Sequence, residues 1–278
     1  MVILKSLEAL ERSDLAGKIG WEVLINADEE VGSEGSSPFL NEAAEQNHVG
    51  LVFEPSTTEE GVFAGERKGT GNFTAVVSGV SAHAGREFHA GRNAICAAAV
   101  LASDLNRLNG QRDGVTINIG KIHGGGPLNV VPDTCVCQLN VRTVQSIDEE
   151  WFEEQRAIIT EKLCQKDGIT VRWHGRFTRK PKRMSQSLQK MFQILEECGE
   201  KLGVVVRHQS TGGCCDGNNL AAAGLPNIDT LGVRGGKIHS DQEYIKLDSL
   251  VERTKLTYLF LMRLASDPNA SSYFDRKH

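Results

Sequence analysis

The stretch Val23–Ser37 constrains this sequence most, because an apolar run ends there in three consecutive carboxylates. Val23–Ile25 is a short apolar run bounded by turn-forming residues, which is typical of a buried strand, and Asp28, Glu29 and Glu30 follow it. Carboxylates at the end of a buried strand are costly unless a cation lies opposite them. The stretch contains no Lys or Arg. We therefore expect a distant basic side chain or a metal ion to pair with these acids.

The bulk composition argues against several classes of function. The 278 residues are 40% hydrophobic and 24% charged, which is typical of a globular protein. The formal charge of −5 gives no reason to expect nucleic acid or an acidic membrane as a partner. No apolar run approaches the length of a membrane span. Seven cysteines without a C-x-x-C pair favour a reducing cytoplasm over a disulfide framework.

The order of the predicted elements indicates two domains. In both flanking parts of the chain, strands alternate with helices, which favours mixed α/β layers around a mostly parallel sheet. Lys68–Trp173 instead reads β-α-β-β-α-β, the split arrangement of a four-stranded antiparallel sheet with two helices on one face. We therefore predict one domain formed by residues 1–66 and 178–278, with a second domain, 67–177, inserted into it. Asp267–His278 is expected to be a polar, mobile tail.

Within the first domain, hydrophobic periodicity and turn residues set the predicted elements. The predicted helices are Met1–Glu11, Glu34–Gln46, Ser185–Gly203, Leu220–Gly224 and Leu247–Ser266. The predicted strands are Trp21–Asn26, Val49–Phe53, Val62–Glu66, Val204–Arg207 and Pro226–Leu231.

Three candidate metal ligands, Glu30, Glu54 and His239, lie after predicted strands or in adjoining loops. Ligands of open α/β sheets bind outside the carboxyl ends of the strands. Oxygen and nitrogen donors of this kind suit zinc, and two ions about 3.5–4 Å apart can polarise a carbonyl and activate a bridging water. Glu29 would then serve as the general base for that water. The alternative is that the D-E-E triplet is a solvated acidic surface, which is the usual fate of such a run.

The stretch I-N-A-D-E-E-V-G-S-E-G-S resembles the D-E-E-x-G-S-x-G-S motif of a family of co-catalytic zinc metallopeptidases. This family includes bacterial glutamate carboxypeptidase, acetylornithine deacetylase and succinyl-diaminopimelate desuccinylase, and the sequence is most similar to the glutamate carboxypeptidase branch. The resemblance covers essentially the whole chain. The further matching motifs, in chain order, are V-F-E-P-S around Glu54, Ser81–Gly85, Gly91–Ile95, Gly125–Asp133, Val141–Thr143, Gly212–Asn218 and Ile238–Ile245.

The resemblance implies both a fold and an activity. The fold would be a three-layer α/β/α catalytic domain of the zinc-peptidase type with an inserted ferredoxin-like βαββαβ domain that acts as a lid and forms a homodimer. The activity would be metal-dependent hydrolysis of an amide or peptide bond. A C-terminal amino acid such as glutamate would be released from an N-acyl or peptidyl substrate.

The resemblance also implies the residues of the metal centre. Two zinc ions are expected, with Glu30 and His239 binding one of them and Glu54 binding the other. Glu29 would take the proton from the attacking water.

The remaining implied residues bind the substrate or its transition state. His83 would reach the active site of the partner subunit and stabilise the oxyanion, a role in which a preorganised donor is worth most. An Arg suits a substrate carboxylate because the guanidinium is a bidentate fork. The implied substrate-binding residues are Asn129, Arg142, Arg179, Gly212 and Gly213.

Several of these residues also have an ordinary structural interpretation. The alternative for His83 is a turn histidine, that for Asn129 is a turn former, and that for Arg142 is the end of a strand. Asp216 is interpreted as the N-cap of the short helix around Leu220 in preference to a site residue.

Two further features have no assigned role in the site. Cys214 and Cys215 stand where the family usually has Gly, Ser or Thr. The alternatives for them are a perturbed loop, sensitivity to oxidation, and inert packing, which is the usual role of a buried Cys. The basic run from residue 179 to 183 is predicted to be a solvated hinge.

The family pattern has two earlier ligand motifs that this sequence does not contain before Asp28. One is H-x-D, whose His binds zinc, and the other is D-x-K-G-G, whose Asp bridges the two ions. We therefore expect this chain to lack the N-terminal part of the family pattern, and to hold too few ligands for two zinc ions. Weak zinc binding with slow or no hydrolysis is the expected consequence. The alternative function is a non-catalytic dimerisation or interaction module.

Overall fold

The computed structural model describes residues 1–274, and the chain divides into two compact units. The first, here called the outer unit, comprises Met1–Arg67 together with the segment from Lys182 onward. The second, here called the inserted unit, comprises Lys68–Pro181. The mixed α/β architecture predicted from the sequence is confirmed.

The described residues form helices α1 to α7 and strands β1 to β12. The helices are α1 Val2–Glu11, α2 Ser37–Gln46, α3 Ala94–Asn106, α4 Ser146–Cys164, α5 Gln186–Leu202, α6 Asp216–Ala222 and α7 Asp248–Ser266. The strands are β1 Gly50–Leu51, β2 Phe63–Arg67, β3 Gly69–Ser78, β4 Ala82–His83, β5 Thr116–Gly124, β6 Val130–Val131, β7 Thr134–Thr143, β8 Thr170–Arg179, β9 His208–Thr211, β10 Asn227–Ile228, β11 Gly235–Gly236 and β12 Tyr244–Ile245.

The inserted unit is built on an antiparallel sheet with strand order β5-β7-β3-β8. Alternate residues of β3 and β7 are buried, as expected for strands with one face against a core. That core is covered by α3 and α4 and includes Phe73, Leu101, Val141 and Phe152. Leaving out the two-residue strands, the element order is β-α-β-β-α-β, so the predicted ferredoxin-like topology is confirmed.

The outer unit combines short parallel strand pairs with packed helices. β1 pairs with β10 and β2 pairs with β9, both in parallel. The long helix α5 presents one apolar face to the core, and its ends are set by an N-cap bond from Leu188 N–H to Ser185 Oγ and by Gly203 in the left-handed conformation. Phe63, Phe192 and Phe260 lie at the centre of this core.

The predicted strand Trp21–Asn26 is wrong. This segment has no regular secondary structure, and within the described residues the backbone groups of residues 20–27 make no hydrogen bond. Its apolar side chains lie towards solvent, with Ile25 90% exposed. The pattern was that of a strand, but a strand forms only when a neighbouring edge pairs with it, and none of the described strands does so.

Two other sequence predictions need correction. Val204–Arg207 is not a strand, because Val204 N–H bonds back to the Gly199 carbonyl where α5 ends, and the strand begins later, at His208. The predicted mobile tail is wrong for Ala270–Phe274, which forms a 3₁₀ turn with Phe274 buried in the core of the outer unit. The last four residues of that predicted tail lie outside the described residues.

Among the helices of residues 1–274, none combines the length and the apolar character needed to cross a lipid bilayer.

Candidate functional site

Asp28 organises the acidic loop that follows residues 20–27. Its carboxylate accepts hydrogen bonds from Gly35 N–H at 2.8 Å, from Ser36 N–H at 3.1 Å and from Ser36 Oγ–H at 2.6 Å. The hydrogen bond from the Ser36 hydroxyl is the main reason that the pKa of Asp28 lies below its usual value. These bonds close the Gly/Ser loop and place Glu29 and Glu30 on a 3₁₀ turn, Glu29–Val31. Asp28 therefore supports the two glutamates structurally.

Asp216 connects this loop to α6. The side chain is only 8% exposed and accepts hydrogen bonds from Asn26 Nδ2 at 2.6 Å, from Asn219 Nδ2 at 3.2 Å and from the Ser33 hydroxyl. The prediction that Asp216 is the N-cap of the short helix is wrong. Cys215 occupies that position, because its backbone is extended and its Sγ accepts from Gly217 N–H.

Glu54 is the titratable group most affected by this environment. It follows β1 and is half-buried. Burial raises the pKa of Glu54, and the negative charge of Glu29 raises it further, with smaller contributions from Asp216 and Asp229. The positive charge of Arg67 opposes the rise. The outer unit thus gathers three carboxylates around Glu54, although they are widely separated in the sequence.

Two buried cations face these carboxylates. Arg67 donates through Nε and Nη2 to the two oxygens of Asp229 at 3.0 and 2.9 Å, and Lys182 Nζ donates to the same carboxylate at 2.6 Å. Asp229 is completely buried and Lys182 is 1% exposed. One carboxylate therefore receives two cations, and the surplus positive charge acts on Glu54. The predicted solvated hinge at residues 179–183 is wrong for Lys182, and also for Arg179, which is buried.

Gly213, a predicted substrate-binding residue, lies beside this group. A Cβ atom placed on Gly213 would be 3.5 Å from Arg67 Nη1, whereas one placed on Gly212 would meet no atom within 4 Å. Both glycines belong to the exposed loop after β9. The Gly213 backbone therefore lies next to a guanidinium and close to the carboxylates.

The predicted metal ligands Glu30, Glu54 and His239 do not form one group in the described residues. Glu30 is exposed, and so is His239, whose backbone has a positive φ of 65° and donates its N–H to Glu243 Oε2 at 3.3 Å. Within residues 1–274, no group of three or more His, Cys, Asp or Glu side chains is placed to share a metal ion. Clustered carboxylates around Glu54 suit a divalent cation by donor type, but their number and placement do not complete a zinc or two-metal site.

Two predicted residues of the inserted unit are neighbours. His83 in β4 lies opposite Val130 in β6, and Ala84 N–H donates to the carbonyl of Asn129 at 2.9 Å. The His83 side chain is exposed, and its Nδ1 accepts a hydrogen bond from Gly85 N–H at 3.1 Å. In the neutral imidazole the proton is then on Nε2, which is left as a hydrogen-bond donor facing outward.

The two predicted arginines occupy one row of the inserted sheet. Arg142 in β7 and Arg179 in β8 are both paired with Thr70 in the central strand β3. Arg142 is half-buried and donates from Nε to Asn140 Oδ1 at 2.9 Å, whereas Arg179 is 6% exposed. The row places two guanidinium-bearing residues at one level of the sheet.

Comparison with known proteins connects both units to one family. A family model described as a peptidase dimerisation domain, of the M20 type, matches residues 65–167. Carboxypeptidase G2 of a Pseudomonas species is 26% identical over 272 residues, which are 95% of this chain and 64% of that protein. The chain resembles the M20 peptidases. It thus spans less than two thirds of the length of this curated relative.

Solved structures show the same M20-type fold. A tripeptidase from Staphylococcus aureus superposes with a TM-score of 0.80 at 21% identity, covering 96% of this chain and 69% of that one. A Bacillus subtilis protein described as a dinuclear metal-binding peptidase of the M20 family gives a TM-score of 0.64 at 18% identity, with coverages of 86% and 64%. The predicted family resemblance and the predicted combination of fold types are confirmed.

Sequence reasoning missed the buried group formed by Arg67, Lys182 and Asp229. The available signal was the position of Asp229 within the apolar segment P-N-I-D-T-L, where a carboxylate needs a buried partner. Nothing in the sequence identifies that partner, since Arg67 is 162 positions away.

Proposed function

We propose that this protein is a metal-dependent hydrolase of an amide or peptide bond. The observation that carries the proposal is the half-buried Glu54, whose pKa is raised by burial and by Glu29, in a chain that resembles the M20 peptidases. Carboxylates with perturbed pKa values in a cavity are typical of acid–base and cation-binding sites. The relative named as a carboxypeptidase supports release of a C-terminal amino acid, such as glutamate, from an N-acyl or peptidyl substrate.

In this proposal the outer unit is the catalytic domain. Glu29 is the general base that takes a proton from water, and Glu30, Glu54 and His239 contribute metal ligands, with zinc as the proposed metal. A bound divalent ion would supply Lewis-acid chemistry at the scissile carbonyl. The ligands present in residues 1–274 are too few for tight binding of two ions, so we expect weak zinc binding by the chain alone.

The inserted unit is proposed to be the lid and the dimerisation domain. Its match to a peptidase dimerisation model supports this assignment and a homodimer. The outward Nε2–H of His83 is suited to stabilise an oxyanion, with Asn129 beside it. Arg142 and Arg179 are proposed to bind the carboxylate of the substrate, and the backbone of Gly212 and Gly213 is proposed to contact it in the outer unit.

The proposal is tested with the purified chain, zinc, and a panel of N-acyl amino acids and dipeptides ending in glutamate. Glu29→Gln should lower kcat by a factor on the order of 10²–10⁴, which is the usual contribution of a general base. Glu54→Gln should weaken zinc binding in a calorimetric titration. Glu45→Gln, at an exposed position of α2, is the matched control and should change neither quantity. Slow turnover is the expected result for the wild-type chain, and full retention of it by Glu29→Gln would refute the role of the general base. No turnover of any substrate even at saturating zinc would favour the non-catalytic alternative.

A second candidate function is a non-catalytic dimerisation or interaction module. It is favoured by the lack of a three-donor group in the described residues and by the family match to the inserted unit. Under this alternative the chain forms dimers, as measured by native mass spectrometry, without zinc binding or turnover.

None of the seven cysteines, all within the described residues, forms a disulfide, which supports a reducing location such as the cytoplasm.

A further inference from the structure

The outer unit contains a small cavity, here called the arginine cavity, with a volume of about 220 Å³. None of the residues that line it also lines the larger cavity that contains Glu54. A water molecule in the liquid occupies roughly 30 Å³, so the arginine cavity has room for an ion with several oxygen atoms. It is lined by Glu60, Gly61, residues 203–205, Arg234, Glu252 and Arg253.

Arg253 is the most deeply buried charged side chain of the arginine cavity. It lies on α7 with its side chain 2% exposed, and its Nη2 donates to the Gly61 carbonyl at 2.7 Å. Its Nε is 3.7 Å from Glu252 Oε1, which is too far for a hydrogen bond. Both Nε and Nη1 are buried without a hydrogen-bond partner among the described residues. Buried donors are almost always satisfied in folded proteins, so these two nitrogens call for a ligand or ordered water.

Arg234 brings a second guanidinium to the arginine cavity. Its Nη2 pairs with Glu252 Oε2 at 3.0 Å and lies 3.5 Å from Asp248 Oδ2. Its Nε is buried and, like the two nitrogens of Arg253, has no hydrogen-bond partner in the described part of the chain. Both arginines pack against Gly61, because a Cβ atom added there would collide with Arg253 Nη2 and lie 2.8 Å from Arg234 Cδ. Three unsatisfied donors on two guanidiniums are thus gathered in one cavity.

The charges that line the arginine cavity favour an anion. Burial lowers the pKa of Arg253 to about 10, Glu252 opposes this fall, and the positive charge of Arg234 adds to it. Arg253 is therefore still charged at neutral pH. Glu60 is exposed, where water and salt screen its charge. Apart from Glu60, the lining groups carry two positive charges and one negative charge, so an entering anion would relieve the repulsion between the arginines.

We propose that the arginine cavity binds a small tetrahedral oxyanion, such as phosphate, through the guanidiniums of Arg234 and Arg253. The unsatisfied nitrogens belong to two different guanidiniums, so the ligand needs acceptors that point in several directions. A tetrahedral oxyanion offers four oxygens, whereas a carboxylate offers two in one plane. Water satisfies the donors but leaves the excess of positive charge. The proposal does not require the protein to be a hydrolase.

The first test is calorimetric titration of the whole chain with inorganic phosphate at constant ionic strength. We expect one saturable site with a dissociation constant below about 1 mM. Acetate, which has a planar carboxylate, should bind at least about tenfold more weakly. Methyl phosphate identifies the source of the ligand. Tighter binding than that of inorganic phosphate assigns the site to the phosphate group of an organic molecule, and weaker binding assigns it to the free ion; either result supports an oxyanion site.

A local readout comes from the Nε–H resonances of the arginines in nitrogen-15 NMR spectra. A hydrogen bond from Nε–H to an oxyanion protects the proton from exchange with water. We expect the Nε–H protons of Arg234 and Arg253 to exchange at least about tenfold more slowly at saturating phosphate. Arg263 lies on the same helix as Arg253, does not line the arginine cavity and is 41% exposed, so its Nε–H should not respond.

Protein variants complete the test. Arg253→Gln should lower phosphate affinity at least about tenfold, because it removes a charge and the donors of one guanidinium. Since Arg253 is buried, Arg234→Gln is the second variant. Its side chain is 20% exposed, so we expect this variant to fold and to lose affinity to a similar extent. Arg263→Gln is the matched control and should bind phosphate as the wild type does.

Three results would overturn the proposal. The first is no saturable phosphate binding up to about 1 mM, or equal affinity for acetate. The second is an affinity of Arg234→Gln equal to that of Arg263→Gln. The third is an unchanged exchange rate of the Nε–H protons of Arg234 and Arg253 at saturating phosphate, which would mean that water satisfies the buried donors.

Discussion

The buried group of Arg67, Lys182 and Asp229 allows a quantitative prediction for the outer unit. Asp229→Asn preserves the shape of the side chain but leaves two buried cations without their carboxylate. Removing one partner of a buried ion pair typically costs about 3–5 kcal/mol, because a charge remains uncompensated in a medium of low polarity. For a domain of this size, each kcal/mol corresponds to a shift of the melting temperature of roughly 2–4 °C. We expect the outer unit to melt roughly 6–20 °C lower in this variant.

The assay has to distinguish the outer unit from the inserted one. Hydrogen exchange of peptides from α5 and α7 during urea unfolding reports the outer unit alone, since both helices belong to it. Lys182→Met should cost less than Asp229→Asn, because Arg67 and Asp229 then remain as a charge-balanced bidentate pair. Asp248→Asn is the control. Its pair with Arg234 spans 3.5 Å at a side chain that is 78% exposed, so we expect a change of about 0–1 kcal/mol.

The reasoning would be refuted if Asp229→Asn and Asp248→Asn lowered the stability of the outer unit by the same amount. If Asp229→Asn destabilised the outer unit by no more than Asp248→Asn, the buried cations would have to be neutralised by another group, or reached by water. A larger loss for Lys182→Met than for Asp229→Asn would also contradict it, because the order of the two effects follows directly from the count of buried charges.

Three further predictions concern single side chains. Burial and Glu29 raise the pKa of Glu54 above its usual 4.5, so ionisation of Glu54 destabilises the fold. This penalty is absent below the usual pKa and grows as the pH rises through the folded-state pKa. In calorimetry, Glu54→Gln should therefore melt at a higher temperature than the wild type at neutral pH and at the same temperature in acid. Cys215 is 2% exposed, and burial raises its pKa to about 12. Iodoacetamide should therefore label the exposed Cys96 and Cys164 before Cys215, as followed by mass spectrometry. Equal labelling rates for Cys215 and the two exposed cysteines would contradict this. Phe152→Ala should destabilise the inserted unit by about 3–5 kcal/mol in urea unfolding, whereas Ile147→Ala at an exposed position of the same helix should change it by less than about 0.5 kcal/mol.

The inserted unit was largely predictable because its signals are local. Alternation along β3 and β7 fixes which face of the sheet is buried, and the apolar stripe of α3 fixes how it covers that face. Two features were missed: β8 extends to Arg179, well beyond the predicted end at Trp173, and the two-residue strands β4 and β6 were not predicted. The later residues of β8 continue to pair with β3, and this depends on a strand about 100 positions earlier in the chain.

The outer unit was less predictable because its strands depend on distant partners. The segment Val23–Ile25 has the composition of a buried strand, yet it is exposed where nothing pairs with it. The grouping of Glu29 with Glu54 followed from their positions after apolar runs. The role of Asp216 did not follow, because a helix-start signal describes Asp at the N-cap and at the first helical position equally well.

Glu54, Glu29 and Asp216 line one cavity, and this couples the charge of a group that enters the cavity to the charge of the site. A group that excludes water removes solvation from Glu54, which disfavours its ionised form. Arg67 is already engaged by Asp229 and offsets this only in part. A group without positive charge therefore raises the pKa of Glu54 further and makes its carboxyl a poorer ligand for a cation. A basic side chain or a metal ion instead favours the ionised form of Glu54, so the charge that enters the cavity is also what makes this carboxylate useful as a ligand.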